Sequence, residues 1–181
     1  MVQVAASIED HLLNALGQGA LGHLSGALFN ATAGINTVHI PYKGAGPSIV
    51  DLVAGHVEFS FVSIPAIAGH LQSKRLRMIA QCGDKRFVSF PDVPTMVESG
   101  VKDFVVTSPF SYLGPAGIPQ PIVKRLNDAL RASLTDPKNN QSLIDSGAQP
   151  VGNTPAEHAA VIKTEIAKWK KVAAAAGLKP Q

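Results

Sequence analysis

A chain of 181 residues, 45% hydrophobic and 16% charged, has room for one ordinary domain or one and a half small lobes, and is too apolar to be disordered. A net charge of +3 is too mild to imply nucleic acid and suits a small anion, while 6% aromatic content argues against a base-stacking platform. Cys82 is the sole cysteine, which excludes an intrachain disulfide and a cysteine-based zinc cluster, and no apolar run approaches the ~20 residues of a membrane span.

Met1–Ser7 has neither a basic start nor a long apolar stretch, so no secretory signal is expected within this chain. The chain then reads as intracellular or as the later part of something longer. Ser7 caps an expected short helix through about Leu16, with Glu9 and Asp10 in its first turn. Gly17–Gly22 is a glycine-rich loop, followed by an expected helix from His23 to Ala33. Asn36–Ile40 reads as a strand. Pro41–Pro47 is a turn into a helix through Val53, with Pro47 in the first helical turn and Gly55 closing it. Val57–Val62 alternates as a strand does, and Pro65 starts a helix to about Ser73. Leu76–Cys82 reads as a buried strand, Thr95–Ser99 as one helical turn, and Phe104–Tyr112 as a β-branched and aromatic strand. Three helices are expected after Gly114–Pro119: 119–134, 136–146 and 154–176. Thr154-Pro155-Ala156-Glu157 carries the start signature of the last one. Strand–helix alternation up to Tyr112 predicts an α/β fold with a largely parallel sheet.

Two glycine-rich loops lead into helix starts and could meet an anion through backbone amides: Gly17–Gly22, and Tyr42–Gly46 after a strand. Gly17-x-Gly19-x-x-Gly22 is also a literal dinucleotide fingerprint. It lacks the preceding strand on this reading, and no acid follows near Val38–Ile40 to take the ribose. A plain tight turn is the other reading of these glycines. His23, beside the loop, is either a ligand donor or a capping, packed histidine. The six histidines form no metal-binding pair, and no Gly-x-Ser-x-Gly elbow is present, so neither a metal, a cofactor nor a catalytic residue is expected. Cys82 reads as inert core, Asp84-Lys85-Arg86 as a solvated turn, and Trp169 as a packing residue near Ile162, Ile166 and Val172.

From His39-Ile40-Pro41-Tyr42-Lys43-Gly44-Ala45-Gly46-Pro47 the chain resembles the Bug-type solute receptors of tripartite tricarboxylate transporters. The resemblance continues in order through Asp51–Val57, Pro91-Asp92-Val93-Pro94-Thr95 with Glu98-x-Gly100, Leu113–Pro119, Gly147–Gly152 and Thr154-Pro155. It implies a periplasmic binding protein-like II fold with a small carboxylate held between two lobes, a periplasmic location and membrane transporter subunits as partners. It also implies that 1–103 is the second, ligand-binding lobe, N-terminally incomplete. Residues 104–181 would then be a hinge strand and C-terminal helices belonging to the first lobe. The expected contacts are Gly19, Ala20, Gly22 and His23 on one loop, Tyr42, Lys43 and Gly44 on the next, and Val62 and Ser63 beyond. Ala20 stands where the family commonly has serine, and Val62 where many members have an aspartate for a ligand amine. An apolar side chain cannot bind an ammonium group, so a plain carboxylate is expected rather than an amino acid. With much of one lobe lacking, the helical tail should expose apolar residues and favour self-association. Readings from other classes are a truncated remnant without ligand binding, the effector-binding domain of an intracellular regulator, and a dinucleotide oxidoreductase.

Overall fold

The computed structural model of the chain describes residues 11–17 and 19–178. Three strands, β1 (His11–Leu16), β2 (Thr37–Tyr42) and β3 (Phe59–Ser60), form a parallel sheet in the order β2-β1-β3. Helices α1 (Leu21–Ala33) and α2 (Ala45–Ala54) make the crossovers, and α3 (Ile64–Gln72) follows β3. The C-terminal part carries α4 (Gln120–Thr135), α5 (Pro137–Asp145) and α6 (Pro155–Ala175).

The stretch read as a capped helix up to Leu16 is instead the central strand. Ser7, Glu9 and Asp10 lie outside the described residues. His11–Leu16 is too short to bury itself as a helix, whereas as a strand it pairs on both sides, with Thr37–Tyr42 and at Leu13–Asn14 with Phe59–Ser60. Leu12 is further held by Glu58, whose carboxylate accepts its N–H at 2.7 Å and whose own N–H reaches the Leu12 carbonyl. Leu12-Leu13 and Ala15-Leu16 are short apolar runs that a helix and a strand can share, which is what made the segment ambiguous. Leu13 is buried against α1, and Gly26 allows that approach: a Cβ there would collide with the Leu13 side chain.

α1 ends where Gly34 adopts the left-handed conformation and donates to the Asn30 carbonyl at 3.0 Å. The Asn30 amide oxygen accepts the Thr37 hydroxyl at 2.9 Å, tying the end of α1 to the start of β2. On the other face, Phe29 meets Phe59, Phe61 and Phe104 edge-on at 5.8–6.1 Å, and Phe61 stacks on Phe104. Met96 and Val106 complete this core, and Trp169 of α6 packs against it.

Two expected strands are not in the sheet. Of Leu76–Cys82, only Gln81 pairs, in a single bridge with Thr95, and Ile79 is 65% exposed. The buried Gln81 side chain holds this region by other means: its amide donates to the Phe90 and Val93 carbonyls and accepts from the Phe87 N–H. The hinge strand expected over Phe104–Tyr112 forms no ladder: the Val106 N–H donates to the Cys82 carbonyl at 2.7 Å, and the segment stays outside the sheet. Phe104 and Val106 enter the core, and the chain then leaves it, with Phe110 86% exposed. A strand needs a neighbour to satisfy its backbone, and the sheet ends at β3, itself paired for only two residues of the six expected.

The three C-terminal helices match their expected limits to within a residue or two. Asp136 ends α4 and caps α5 through its carboxylate, and Thr154 with Glu157 makes a complete capping box on α6. Lys168 donates to the Val105 carbonyl at 2.7 Å, and Ser89 to that of Ile144, joining this part to the rest. Trp169 packs as expected, whereas Ile162 and Ile166 on the same helix remain exposed.

Candidate ligand-binding site

Parallel strands deliver their carboxyl ends to one edge of the sheet. There β1 passes through Gly17–Ala20 into α1, β2 through Lys43 and Gly44 into α2, and β3 through Phe61–Ser63 into α3. The two glycine turns are therefore neighbours: Leu16 is opposite Tyr42, and the Gly17 N–H donates to the Tyr42 carbonyl at 3.0 Å. Gly17 and Gly19 have φ of 32° and 77°, a region glycine enters without a Cβ penalty.

The three helix starts share a chemical feature. Ala20, Gly44 and Ser63 are their N-cap residues, no side chain caps any of them, and no acidic residue stands in a first turn. The first amides of a helix have no intrahelical acceptor, and the helix dipole adds partial positive charge there. Away from this edge, α5 and α6 are capped by Asp136 and by Thr154 with Glu157, while α4 has neither a side-chain cap nor an acid in its first turn. The edge thus combines three uncapped helix N-termini with no carboxylate of their own.

Of the expected contacts, Ala20 and Gly22 stand at the start of α1, with Gly22 buried. The Gly19 N–H does not face outward alone: it donates to His23 Nδ1 at 3.1 Å. The His23 ring stacks on His39 of β2, with centroids 3.9 Å apart and planes within 6°. Burial lowers the His23 pKa, and burial followed by the charge of His23 lowers that of His39. Tyr42 ends β2 and donates its hydroxyl to Asp51 of α2 at 2.7 Å, while the other Asp51 oxygen is 3.3 Å from His56 Nδ1. That hydrogen bond raises the Tyr42 pKa and lowers the Asp51 pKa, His56 adding to the latter. Lys43 is exposed, Val62 is half-buried, and Ser63 has its hydroxyl free of a capping bond.

His39 and Asp51 were not among the expected site residues. Each lies several positions from its partner along the chain: the β2–α2 connection brings Tyr42 to Asp51, and the packing of α1 beside β2 brings His23 to His39. The dinucleotide fingerprint gains the strand it needs in β1, yet β2 ends in Pro41-Tyr42-Lys43, with no acid for a ribose. Among the described residues, no group of three or more histidine, cysteine or acidic side chains could hold a metal ion.

An open parallel sheet with bare helix N-termini along its carboxyl edge defines an α/β lobe suited to anions. The particular family follows from comparison: a model described as "Tripartite tricarboxylate transporter family receptor" matches residues 10–178, and the chain belongs to this family. The chain is similar to Protein BugT of Bordetella pertussis, 36% identical over 167 residues, which are 92% of this chain and 51% of BugT. It is similar in structure to R. palustris Rpa4515 with adipate, with a TM-score of 0.88 and 32% identity, covering 97% of this chain and 58% of that one. MatC from Rhodopseudomonas palustris with bound malate has a TM-score of 0.76 and 25% identity, covering 92% and 58%. The fold is that of periplasmic binding proteins, and the chain spans about half the length of these relatives.

Proposed function

We propose that this chain takes part in solute reception by binding a small carboxylate at the carboxyl edge of its sheet, as a binder and not an enzyme. The observation that carries the reading is the convergence of three helix starts, without caps or acids, at the carboxyl ends of three parallel strands. A carboxylate supplies the acceptors such helix starts lack. On this reading the amides that open α1, at Leu21–His23, and those of Tyr42–Gly44 cradle one carboxylate group, while the Gly19 N–H stays on His23; Lys43 adds charge, and Ser63 adds a hydroxyl. The relatives whose structures contain adipate and malate support this class of ligand. Val62, beside Ser63, offers nothing to an ammonium group, so dicarboxylates without an amine are favoured over amino acids.

The family supports a periplasmic setting and membrane transporter subunits as partners. Residues up to 103 form the ligand-binding lobe in this reading, and 104–181 belong with the other lobe. The exposed apolar residues of that second part are then covered by the other lobe or by a second copy of the chain.

Calorimetry and thermal unfolding with adipate, malate and glutamate test the function. Ligand at 100 times its Kd stabilises the folded chain by about 2.7 kcal/mol. Adipate or malate is expected to raise the midpoint, and glutamate to do so much less. No heat and no shift with any carboxylate at millimolar concentration would overturn the reading.

A further inference from the structure

We propose that His23, braced by His39, is the positioning residue of the β1–α1 loop, and that it sets the loop's shape only while its imidazole is neutral. The inference rests on the carboxylate site proposed above but concerns a role distinct from ligand contact. Gly19 donates its N–H to His23 Nδ1 at 3.1 Å. An imidazole nitrogen accepts only when it carries no proton, so this bond requires the neutral ring with its proton on Nε2. Gly19, at φ 77°, would otherwise have the loop's widest conformational choice, and the bond selects one.

His39 fixes the other degree of freedom. It lies flat against His23, and its own Nε2 is buried with no hydrogen-bond partner. Both rings line a groove of about 650 Å³ between α1, β2 and the end of α6. The one further titratable residue lining that groove among the described residues is Lys171 of α6, a cation. Every ionisable neighbour from β2 and α6 thus opposes a positive charge on His23, and no carboxylate among the groove-lining residues compensates it. Burial acts in the same direction. Protonation places a hydrogen on Nδ1, turns the acceptor into a donor facing the Gly19 N–H, and sets two stacked cations beside a lysine if His39 follows. The loop then loses its staple.

The consequence is a site whose Gly19–His23 segment is ordered above the histidine range and released below it. A competing effect has the opposite sign: a cationic His23 attracts an anion directly. The two predict opposite pH profiles, which makes the role testable.

The experiment uses the ¹⁵N-labelled full chain without ligand, titrated from pH 8 to 5 by NMR, and then adipate binding measured across the same range. The expected result is that the Gly19 amide resonance shifts with the protonation of His23. Adipate affinity should fall as pH drops through that transition, by up to tenfold per pH unit. His23→Asn places an oxygen acceptor near the Nδ1 position without a titrating ring. It should bind more tightly than His23→Ala at pH 7.5 and flatten the pH profile. A Gly19 amide that ignores His23 titration, or adipate binding that tightens on acidification, overturns the proposal. A Gly19 amide that follows His23 in a chain that binds no carboxylate supports the staple and contradicts the carboxylate reading.

Discussion

Gly26 is the closest point of contact between α1 and the central strand, and replacing it by alanine separates packing from helix propensity. An added Cβ would collide with the Leu13 side chain, which is 1% exposed. Overpacking a core costs about 1–3 kcal/mol. Leu13 also borders the groove beside α1, which leaves its methyl groups one direction of retreat and puts the cost toward the lower half of that range. Against this, alanine is favoured over glycine in a helix by about 1 kcal/mol. Gly69 provides the control: it lies within α3, is exposed, and a Cβ there meets nothing within 4 Å. Gly69→Ala should therefore gain the propensity term in full, and Gly26→Ala should lag it by about 1–2 kcal/mol. For a chain of this size that is roughly 2–8 °C in unfolding midpoint. Adding Leu13→Val to Gly26→Ala should recover part of the gap in a double-mutant cycle. If Gly26→Ala proves as stable as Gly69→Ala, the close approach of α1 to β1 is wrong.

Acidification should destabilise the chain in two steps. His23 and His39 have folded pKa values below 6.5, so their contribution is complete above that pH and is lost as pH falls through the lowered values. Asp51, Glu98 and Glu157 are held below the ordinary carboxylate range by hydrogen bonds from Tyr42, Arg86 and Thr154 respectively, so a second loss follows below about pH 4. A midpoint that rises between pH 6.5 and 5 would contradict the first step. Burial pushes the Cys82 thiol up to about 11, so at pH 8 roughly one molecule in a thousand carries the thiolate. Alkylation should be slow in the native chain and fast in denaturant. Thr154→Ala removes the α6 cap and should cost about 0.5–2 kcal/mol, read as a lower urea midpoint with an unchanged m-value.

Local signals carried the helices. Gly34 and Gly55 end α1 and α2, Asp136 divides α4 from α5, and Thr154–Glu157 starts α6, each through a bond a few residues long. Asn36–Ile40 and Val57–Val62 were legible too, and hold β2 and β3; what failed was the remaining sheet assignments, because a strand is decided by its neighbours. His11–Leu16 looks helical in isolation and becomes β1 only between β2 and β3. Leu76–Cys82 and Phe104–Tyr112 look like strands and stay out of the sheet. The Tyr42–Pro47 turn was legible as a strand–turn–helix unit, whereas the Gly17–Gly22 loop gains its strand only in β1, and with it its place beside that turn. The bonds from Gly19 to His23 and from Tyr42 to Asp51 were not legible, since the motifs that hold these residues do not specify which of their side chains meet.

The exposed part of the molecule bears on how the chain exists in solution. A compact monomer of 18.9 kDa exposes about 8,300 Å², whereas this chain exposes 12300 Å². Part of that area belongs to apolar side chains among the described residues. Phe110, Tyr112 and Leu113 stand exposed after the core residue Val106, and Ile122, Leu126, Ile162 and Ile166 are exposed on α4 and α6. α6 does return to the sheet side, where Trp169 packs on the Phe29–Phe104 core, so the tail is tethered while its other faces lack cover. Large apolar patches are rare on soluble monomers, and several exposed side chains of this size invite cover. Burying even four such side chains is worth about 6–12 kcal/mol before association costs, enough to offset the ~4–15 kcal/mol of lost translational and rotational freedom over much of its range. The isolated chain is therefore expected to self-associate at micromolar concentration, or as a monomer to bind a hydrophobic dye. Sedimentation with dye titration measures both, and Phe110→Ser with Leu113→Ser should weaken whichever is seen. A dye-free monomer would mean that these residues find cover within the chain itself.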